Sequence, residues 1–486
     1  MDKNNYIPSI DFLVAAEKYF ALMVENLQNP VIKENHLDIL EDELLKKTRE
    51  LARLLLQGHL DSRGDGDIGA MVISSEKVKL IKRRKTSRAL KTIFGQVKSS
   101  RVSYSHEGHQ SRFPLDASLN RPRGSFSYGL PQMVVQEIIK GSFEESLLTR
   151  ERLTGVTIWP RQALEIVKQR AMDFDSFDQE TFFQIQTEEL LLVPIMVLTT
   201  SVQGIVMRRS GLGEGTRKLQ SQTNHKLKHR LSKFDAGNRK PMAQVASIYF
   251  MERFVRQPEE LLSELWRKTA KRPRPLGKRI WARVEKSSSF VLSELFEEAL
   301  RRDPKQGKEW VVWIDGQEYQ LHEIQKRARQ LEVKITIILD IIHVIEYLWD
   351  VAHVLVEESN PSCEQWVESK LLEVLNGRKV AGSIRMSAAK RNLSEKPLTK
   401  VETSANYLTK NQEYIDYKTY LHQGYPIGTF VIEGTCRYLV KDRMDITGAR
   451  WGLEGAEAIL KLRSIIKSDD FEDYWKFHLK QEFDRN

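Results

Sequence analysis

Apolar residues near the start of the chain recur three and four positions apart. This spacing runs over residues 10–27 and again over residues 37–57, where Leu40, Leu44 and Leu51 carry it. Because an α-helix brings such positions to one face, the pattern predicts two amphipathic helices. We assign residues 1–80 to an N-terminal helical region.

A different pattern follows in residues 89–104, where apolar and polar residues roughly alternate on both sides of Gly95. Alternation with a period of two is typical of strands, and the central glycine suits a turn. The stretch therefore predicts a β-hairpin. Residues 82–88 beside it are rich in Lys and Arg, so we describe residues 81–128 as a basic β-hairpin segment.

Two short helices separated by a turn are predicted next. Ser142-Phe-Glu-Glu has the pattern of a capping box, and Gly155 marks the turn before the second helix. This is helix-turn-helix spacing, and we assign it to a DNA-binding domain at residues 129–185. Packed helices joined by a glycine turn are also common in proteins that do not bind DNA. The spacing alone therefore favours DNA binding and a purely structural role about equally. If the second helix contacts DNA, Arg161 and Lys168 lie on its DNA side.

Beyond residue 190 the pattern indicates buried strands that alternate with helices. Residues 190–199 form an unbroken apolar run, as in strands buried on both faces. Alternation of strands and helices implies parallel strands joined by crossover helices. We predict a core at residues 190–356, a mixed sheet flanked by helices, with strands near 190–199, 204–208, 243–249, 310–314 and 333–339.

Residues 357–424 are polar and helical in composition and predict an all-α insertion. The chain then returns to the core at residues 425–486, where a predicted helix carries Glu433, Arg437 and Lys441 on nearly one face. The predicted fold class is thus multidomain α+β. A helical N-terminal region with a small β-hairpin and a helix-turn-helix precedes an α/β core with an all-α insertion.

The amino-acid composition limits the kinds of molecule that the chain is expected to bind. The chain has 486 residues, with 76 Lys and Arg against 66 Asp and Glu, and a net charge of +10 favours a polyanion such as nucleic acid. Cys363 and Cys436 are the only cysteines, which argues against a disulfide framework or a cysteine zinc site. We find neither a signal-peptide pattern nor an apolar run of membrane length. The expectation is a cytoplasmic, nucleoid-associated protein without a membrane partner.

Two basic segments are candidates for DNA contact. Residues 208–240 hold ten Lys and Arg against two acids, and residues 267–279 hold seven and no acid. Such segments could neutralise several phosphates, although a solvated linker has the same composition. The residues predicted to contact DNA here are Lys226, Lys228, Arg230, Lys240, Lys271, Arg272 and Arg274.

Acidic residues follow the buried apolar runs of the C-terminal half. Asp315 comes after one predicted strand, Asp340 comes after the next, and Glu433 follows Phe430-Val-Ile. Carboxylates beyond buried strands lie where α/β sheets present ligands, and such groups can bind Mg²⁺ or Mn²⁺. Each also has a purely structural interpretation. Asp315 would then lie in an ordinary turn, and Asp340 would cap a helix in which His343 is a polar core residue.

Three runs of residues resemble one family. They are Val312-Trp-Ile-Asp-Gly, Asp340-Ile-Ile-His-Val-Ile-Glu-Tyr-Leu-Trp, and residues 431–458, which include Val-Ile-Glu-Gly-Thr-Cys-Arg-Tyr-Leu-Val-Lys. Here the chain resembles bacterial insertion-sequence transposases of the Kra group, over residues 85–482. That family is similar to the Mutator-like DDE transposases. The resemblance implies an RNase H-like core with an acidic triad, an Asp-x-x-His or Cys-x-x-His motif and a helical insertion.

The resemblance also implies roles for single residues. Asp315 matches the second acid of the triad and Glu433 the third, so both would bind Mg²⁺ or Mn²⁺. Asp340 and His343 match the Asp-x-x-His pair, in which the histidine would orient a phosphate or the acids and Asp340 would support it. Independently of the resemblance, Arg437, Lys441 and Arg443 near Glu433 are candidate contacts to DNA phosphates, with ion pairs to Asp442 and Asp445 as the alternative.

The first acid of the triad does not carry over. Where the family ends its first core strand in an Asp-Gly-Lys-Gly turn, this chain has Ser201 in place of the aspartate and Val202 in place of the glycine. A neutral hydroxyl is a poor Mg²⁺ ligand beside carboxylates. The departure predicts an impaired metal site.

The resulting hypothesis is a transposase-family protein that binds double-stranded DNA at element ends, as a homo-oligomer. An intact site would cut and transfer DNA strands by two-metal phosphodiester chemistry, which Ser201 impairs. The alternative is a catalytically inactive DNA-binding protein derived from a transposase. A nuclease directed by RNA is a third interpretation, which aromatic base-stacking motifs would have favoured.

Overall fold

The structure is a computed structural model in which the chain forms two compact units. The first comprises the described residues up to Asp173 and those from Glu472 onward, and the second runs from Phe174 to Phe471. Of residues 264–267, 361, 430, 431 and 433, only the backbone is described. The residues described are 11–74, 77–180, 190, 192–208, 242–267, 273–356, 361–391, 393–428, 430–446 and 448–485.

The first unit begins with a helical hairpin. The Asp11 carboxylate accepts hydrogen bonds from the backbone N–H groups of Leu13 and Val14 and caps the first helix. The third helix runs back along the first, so that Gly58 near its end lies against Leu13. These helices are α1 (Phe12–Gln28), α2 (Pro30–Lys33) and α3 (Leu37–Ser62). Both predicted helices are confirmed.

An antiparallel sheet follows, in the order β1-β2-β3. Gly95 has a φ of 122°, which favours glycine, and begins the third strand directly after the turn. The buried residues Leu80, Val102 and Tyr104 form the core of this sheet. Its strands are β1 (Met71–Ile73), β2 (Lys79–Thr92) and β3 (Gly95–Ser105). The predicted hairpin is confirmed.

Four short helices complete the N-terminal part of this unit. Ser142 accepts a hydrogen bond from the backbone N–H of Glu145 and caps the third of them, and Gly155 ends that helix with a φ of 66°. The helices are α4 (Pro114–Ser118), α5 (Gly129–Ile138), α6 (Phe143–Thr154) and α7 (Pro160–Arg170). The two helices and the glycine turn are as predicted.

A buried network connects the last helix, α20 (Phe471–Arg485), to the rest of the first unit. His478 is fully buried, with Nδ1 2.5 Å from Asp173 Oδ2 and Nε2 2.8 Å from Arg170 Nη1. Because Arg170 can only donate and a carboxylate only accepts, Nε2 accepts from Arg170 and Nδ1 donates to Asp173. Arg485 donates to both oxygens of Asp173. This helix was predicted as part of the core at residues 425–486, whereas from Glu472 onward it belongs to the first unit.

The second unit is built on a five-stranded mixed sheet in the order β6-β5-β4-β7-β8. The strands β4, β7 and β8 are parallel, as the alternation of strands and helices predicted, and β5 is antiparallel to β4 and β6. The bounds are β4 (Ile195–Gly204), β5 (Met242–Met251), β6 (Leu276–Arg283), β7 (Glu309–Ile314) and β8 (Ile335–Leu339).

Two strands differ from their prediction. The first strand begins after Pro194 and not at Leu190, because proline lacks the N–H group that a strand interior needs. It then extends to Gly204, so residues 204–208 are not a separate strand. The strand β6 was not predicted, since its sequence belongs to the basic segment 267–279. Its Arg279 and Arg283 are buried and pair with carboxylates of the second unit.

Helices surround this sheet, and residues 361–422 are helical apart from short connections, as predicted. The helices before this insertion are α8 (Phe174–Glu180), α9 (Pro258–Arg267), α10 (Ser288–Arg302), α11 (Glu318–Gln330) and α12 (Ile341–Leu355). Those of the insertion are α13 (Pro361–Leu375), α14 (Ala381–Ala389), α15 (Glu395–Lys410) and α16 (Tyr417–His422), with a 3₁₀ turn at Gln412–Tyr414. Those after it are α17 (Phe430–Thr435), a π-helical segment (Cys436–Lys441), α18 (Asp442–Met444) and α19 (Leu453–Lys467).

Within the described ranges, none of the helices is both long enough and apolar enough to span a membrane.

We expect Asp173→Asn to destabilise the first unit by about 3 kcal/mol, because it leaves the buried imidazole of His478 and the partly buried guanidinium of Arg485 without their carboxylate. Burial raises the pKa of Asp173, but the hydrogen bonds from Arg485 and His478 outweigh burial and lower this pKa from 3.8 to about 2. A lowered pKa gives stability that is complete above about pH 4 and lost as the pH falls towards 2. Urea unfolding followed by circular dichroism between pH 2 and 7 measures both effects.

Asp473→Asn is the matched control, because Asp473 lies exposed on the same helix and pairs with Lys476. It should unfold like the unmodified chain. If Asp173→Asn also keeps the original urea midpoint and the original acid dependence, the network does not stabilise this unit.

Candidate functional site

Three predicted site residues lie in one row across the parallel strands. Ile314 of β7 is paired with Leu339 of β8. Asp315 follows the first of these residues and Asp340 follows the second, so the two acids lie at neighbouring positions. In the other direction the parallel ladder ends at Thr199, which is paired with Trp313. Ser201 lies two residues beyond that pair on β4, as Asp315 lies two residues beyond it after β7. The strand register thus brings together positions that are far apart in the sequence.

Ser201 lies inside a strand and not in a turn. It pairs with Val245 of β5, is partly buried, and β4 continues beyond it to Gly204. The predicted turn at this position is therefore wrong. The pairing of β4 with β5 keeps the backbone extended, and Gln203-Gly204 forms the last step of the ladder.

Asp315 is held in a tight turn after β7. Its Oδ1 accepts a hydrogen bond from the backbone N–H of Gln317 at 3.0 Å, and its Oδ2 accepts one from the Gln317 side chain at 2.9 Å. Gly316 has a φ of 86°, as the chain reverses there. The turn interpretation of Asp315 is confirmed, and its carboxylate lies at the end of a buried strand.

Two residues that the sequence analysis did not single out position this turn. The Tyr407 hydroxyl of the insertion donates to the carbonyl oxygen of Asp315 at 2.8 Å, and its ring stacks on Tyr347 with centroids 3.9 Å apart. The Gln320 side chain accepts from the Asp315 N–H and donates to Thr200 Oγ1. It therefore links the Asp315 turn to β4 beside Ser201. No local motif marks Tyr407, because its contact spans 92 residues.

Asp340 is the N-cap of α12. Its Oδ1 accepts from the backbone N–H of Ile342 at 3.0 Å, and its own N–H donates to the Ile314 carbonyl. The residue is 1% exposed. Burial, and then the charge of Asp340, raise the pKa of both Tyr249 and Tyr417. The helix-capping interpretation is confirmed.

His343 has a different partner from the one that the family motif implies. Its Nδ1 lies 3.1 Å from a carboxylate oxygen of Glu346, one turn further along α12, and its side chain is about one-third exposed. The described contact of His343 is therefore on the helix surface. A role for it in orienting the acids or a phosphate stays a prediction.

The helix α17, which carries Glu433, packs against β4 and β5. The Glu433 side chain lies outside the described residues. The backbone widens into a π-helix directly after α17, and such segments are rare in helices. Arg437 and Lys441 lie in this π-helix and are both exposed. That they share nearly one face with Glu433 stays a prediction.

The oxygen atoms of the described side chains are not arranged to bind a divalent ion. Both oxygens of Asp315 accept from Gln317, and Asp340 caps a helix. At the third place in the row, Ser201 offers a neutral hydroxyl. Across the described side chains, no group of three or more His, Cys, Asp and Glu is arranged to hold a metal ion.

The predicted DNA contacts separate into several groups. Arg161, Arg274, Arg437 and Lys441 are exposed. Lys168 is only partly exposed and lies 3.5 Å from a carboxylate oxygen of Glu165. The remaining predicted residues of the two basic segments lie outside the described part of the chain: Lys226, Lys228, Arg230, Lys240, Lys271 and Arg272.

Arg443 is not a surface residue, so its predicted DNA contact is wrong. It is 2% exposed, and its guanidinium lies 4.7 Å from the centre of the Trp451 ring. Burial, and then the nearby Arg463, lower the pKa of Arg443 to about 10. The Trp451 ring thus packs against the buried Arg443 guanidinium within the second unit.

No model of a known protein family matches the chain, and no curated protein matches it. The resemblance to Kra-group transposases stays a prediction that rests on the motifs themselves. The strand pairing adds one observation to those motifs, namely that Ser201, Asp315 and Asp340 follow neighbouring parts of the same sheet.

We expect Gly316→Ala to destabilise the second unit by about 3 kcal/mol. A positive φ costs alanine about 1 kcal/mol, and an added Cβ would lie 2.7 Å from the Tyr407 ring, which its hydrogen bond to Asp315 holds in place. Thermal unfolding, with the tryptophan fluorescence of the sheet as probe, measures the effect.

Gly377→Ala is the control, since its φ of 80° is similar but no atom lies within 4 Å of an added Cβ. It should cost only about 1 kcal/mol. Equal losses in the two variants would mean that the contact between Tyr407 and the turn contributes nothing.

Proposed function

We propose that this chain is a transposase-type protein that binds double-stranded DNA at the ends of its element. Its core is RNase H-like, and its metal site is incomplete because Ser201 replaces the first acid. The observation that carries the proposal is the row of Ser201, Asp315 and Asp340. A hydroxyl stands at the position of the first acid, on the strand beside the one that ends before Asp315.

The topology of the second unit supports the RNase H-like part of the proposal. Numbered within the sheet, the strands lie in the order 3-2-1-4-5, and only the second runs against the others. A mixed sheet of this kind is what the family resemblance implies for the core. A helical insertion before α17 matches the position that the family resemblance implies for it.

Charge on the first unit supports DNA as the partner. Residues 82–85 of β2 are Lys-Arg-Arg-Lys, all exposed, and a β-bulge interrupts the pairing there. A two-stranded ribbon can enter the major groove, and Arg side chains suit phosphates. Exposed Arg161 lies in the first turn of α7, where a helix-turn-helix would meet DNA.

With carboxylates at all three acid positions of the family motif, Mg²⁺ or Mn²⁺ would supply Lewis-acid chemistry at a phosphodiester. In this chain the described residues at these positions have other interactions. Asp340 caps α12, Asp315 is engaged by Gln317, and Ser201 can only donate or accept a neutral hydrogen bond. These observations favour DNA binding with little or no strand cleavage, which is also the alternative of an inactive transposase derivative.

Restoring the acid with Ser201→Asp is expected to create metal binding. We expect Mn²⁺ to raise the melting temperature of this variant and to support cutting of duplexes that carry the DNA flanking its own gene. The unmodified chain should do neither. Calorimetric titration with Mn²⁺ and a gel assay for nicked DNA provide the measurements.

Val202→Asp adds the same charge one residue away, where a strand points its side chain to the opposite face of the sheet. It should neither bind Mn²⁺ nor cut. Metal-dependent cutting by the unmodified chain would refute the impaired site. A Ser201→Asp variant that folds but gains no metal affinity would leave only the inactive DNA-binding alternative.

We call residues 82–85 of β2, together with the strand paired with them, the basic ribbon. The double variant Arg83→Gln, Arg84→Gln tests whether this ribbon binds DNA. We expect weaker binding to duplex DNA of any sequence, and a slope of log affinity against log salt that is smaller by about 2, since each lost phosphate contact removes about 1. Fluorescence anisotropy at several salt concentrations measures both quantities.

Lys46→Gln with Lys47→Gln is the charge-matched control. Each of these lysines of α3 already pairs with an acid one turn earlier. The control should keep its affinity and slope. If both pairs weaken binding equally, net charge alone and not the ribbon accounts for DNA affinity.

A further inference from the structure

The helical hairpin of α1–α3 exposes an unusual number of large apolar side chains. On α1, Leu13, Phe20, Val24 and Leu27 are 40 to 56% exposed, and on α3 Leu37 is 71% exposed. Single exposed apolar residues are ordinary on a protein surface, whereas a contiguous set marks a contact surface.

On α1 these residues lie in one stripe. Leu13, Phe20, Val24 and Leu27 follow one another at steps of seven, four and three residues, which brings them to one side of a helix. A neighbouring side carries buried Ala16 and packs against α3. Leu13 also lies against Gly58 of α3, so the apolar surface beyond the contact within the hairpin consists mainly of Phe20, Val24 and Leu27.

A matching stripe follows α3. Leu37, Leu44, Leu51 and Leu55 are spaced by seven, seven and four residues. The first and last are exposed and the middle two partly buried. Two antiparallel helices that each keep a second apolar stripe are half of a four-helix bundle.

The charge of the hairpin argues against nucleic acid as its partner. Residues 11–62 contain ten acids and six Lys or Arg, a net charge of −4 in a chain of +10. Within α3 the charges are segregated. Residues 37–45 hold four acids and no base, and residues 46–53 hold four bases and one acid. An antiparallel second α3 would bring acids beside bases at both ends of the contact.

We infer that this hairpin pairs with the same hairpin of a second copy, forming an antiparallel four-helix bundle around a two-fold axis. The same patch then serves both partners, which its self-complementary charge allows. A helix of 26 residues is about 39 Å long, enough for a contact that buries about 800 Å² per copy. The inference concerns the free protein, and its test uses no DNA, so it stands or fails separately from the proposed function.

The first experiment is sedimentation equilibrium of the full chain, without DNA, across a range of concentrations. We expect a dimer, and Phe20→Glu with Leu55→Glu should raise its dissociation constant at least about a hundredfold, since each charge enters the contact twice. Leu148→Glu with Ile73→Glu alters equally exposed apolar residues elsewhere in the first unit and should leave the dimer intact. An unmodified chain that is monomeric at every concentration overturns the inference.

A charge exchange distinguishes a second copy from any other partner. One variant carries Asp38→Lys, Glu41→Lys and Asp42→Lys, and the other carries Lys46→Glu, Lys47→Glu and Arg53→Glu. Each alone should be mainly monomeric, because like charges then meet across the two-fold axis, and the mixture should form heterodimers. Separate monomers in the mixture, or two homodimers, would rule out antiparallel pairing of α3.

Discussion

The parallel pairing of β4, β7 and β8 is the constraint on which the arrangement of the second unit depends. Trp313 at the centre of this sheet is 1% exposed, donates from Nε1 to the Pro426 carbonyl and meets the edge of Tyr249. A shift of one residue would turn this ring to the opposite face and leave its N–H without that partner. The packing of this ring thus favours the register that brings Asp315 and Asp340 to neighbouring positions.

The helical insertion is part of the same arrangement, because it protects the edge of the sheet. The hydroxyl of Tyr417 donates to the Leu339 carbonyl at 2.8 Å, and that of Tyr420 lies 3.4 Å from the Ile337 carbonyl. An uncovered edge strand exposes such groups for pairing with other chains. Burial and the charge of Asp340 raise the pKa of Tyr417, so its hydroxyl stays protonated and remains a donor. Tyr407 extends the same contact to the turn at Asp315.

Local patterns in the sequence predict most elements correctly, and the failures have physical causes. Helical spacing, the glycine at 95 and the capping pattern at Ser142 depend on neighbours within a few residues, and each is confirmed. The strand β6 was missed because Arg279 and Arg283 look like a solvated run until distant acids are known. Glu298 on α10 and Glu294 supply them, at 3.2 and 2.5 Å. Buried cations require such partners, and a sequence does not state which residues pair across a fold.

The serine at position 201 also changes the energetics of the sheet. Adjacent strands lie about 4.8 Å apart, so three ionised acids in one row would repel by about 3 kcal/mol for each neighbouring pair, at an effective dielectric constant near 20. A bound cation offsets that repulsion, and without one the acids destabilise their own strands. Asp340 lowers the remaining repulsion by directing its charge to the N-terminus of α12, where the helix dipole favours an anion. The neutral Ser201 on β4, between β5 and β7, therefore removes the repulsion that an acid at this position would have with Asp315 wherever no cation is bound.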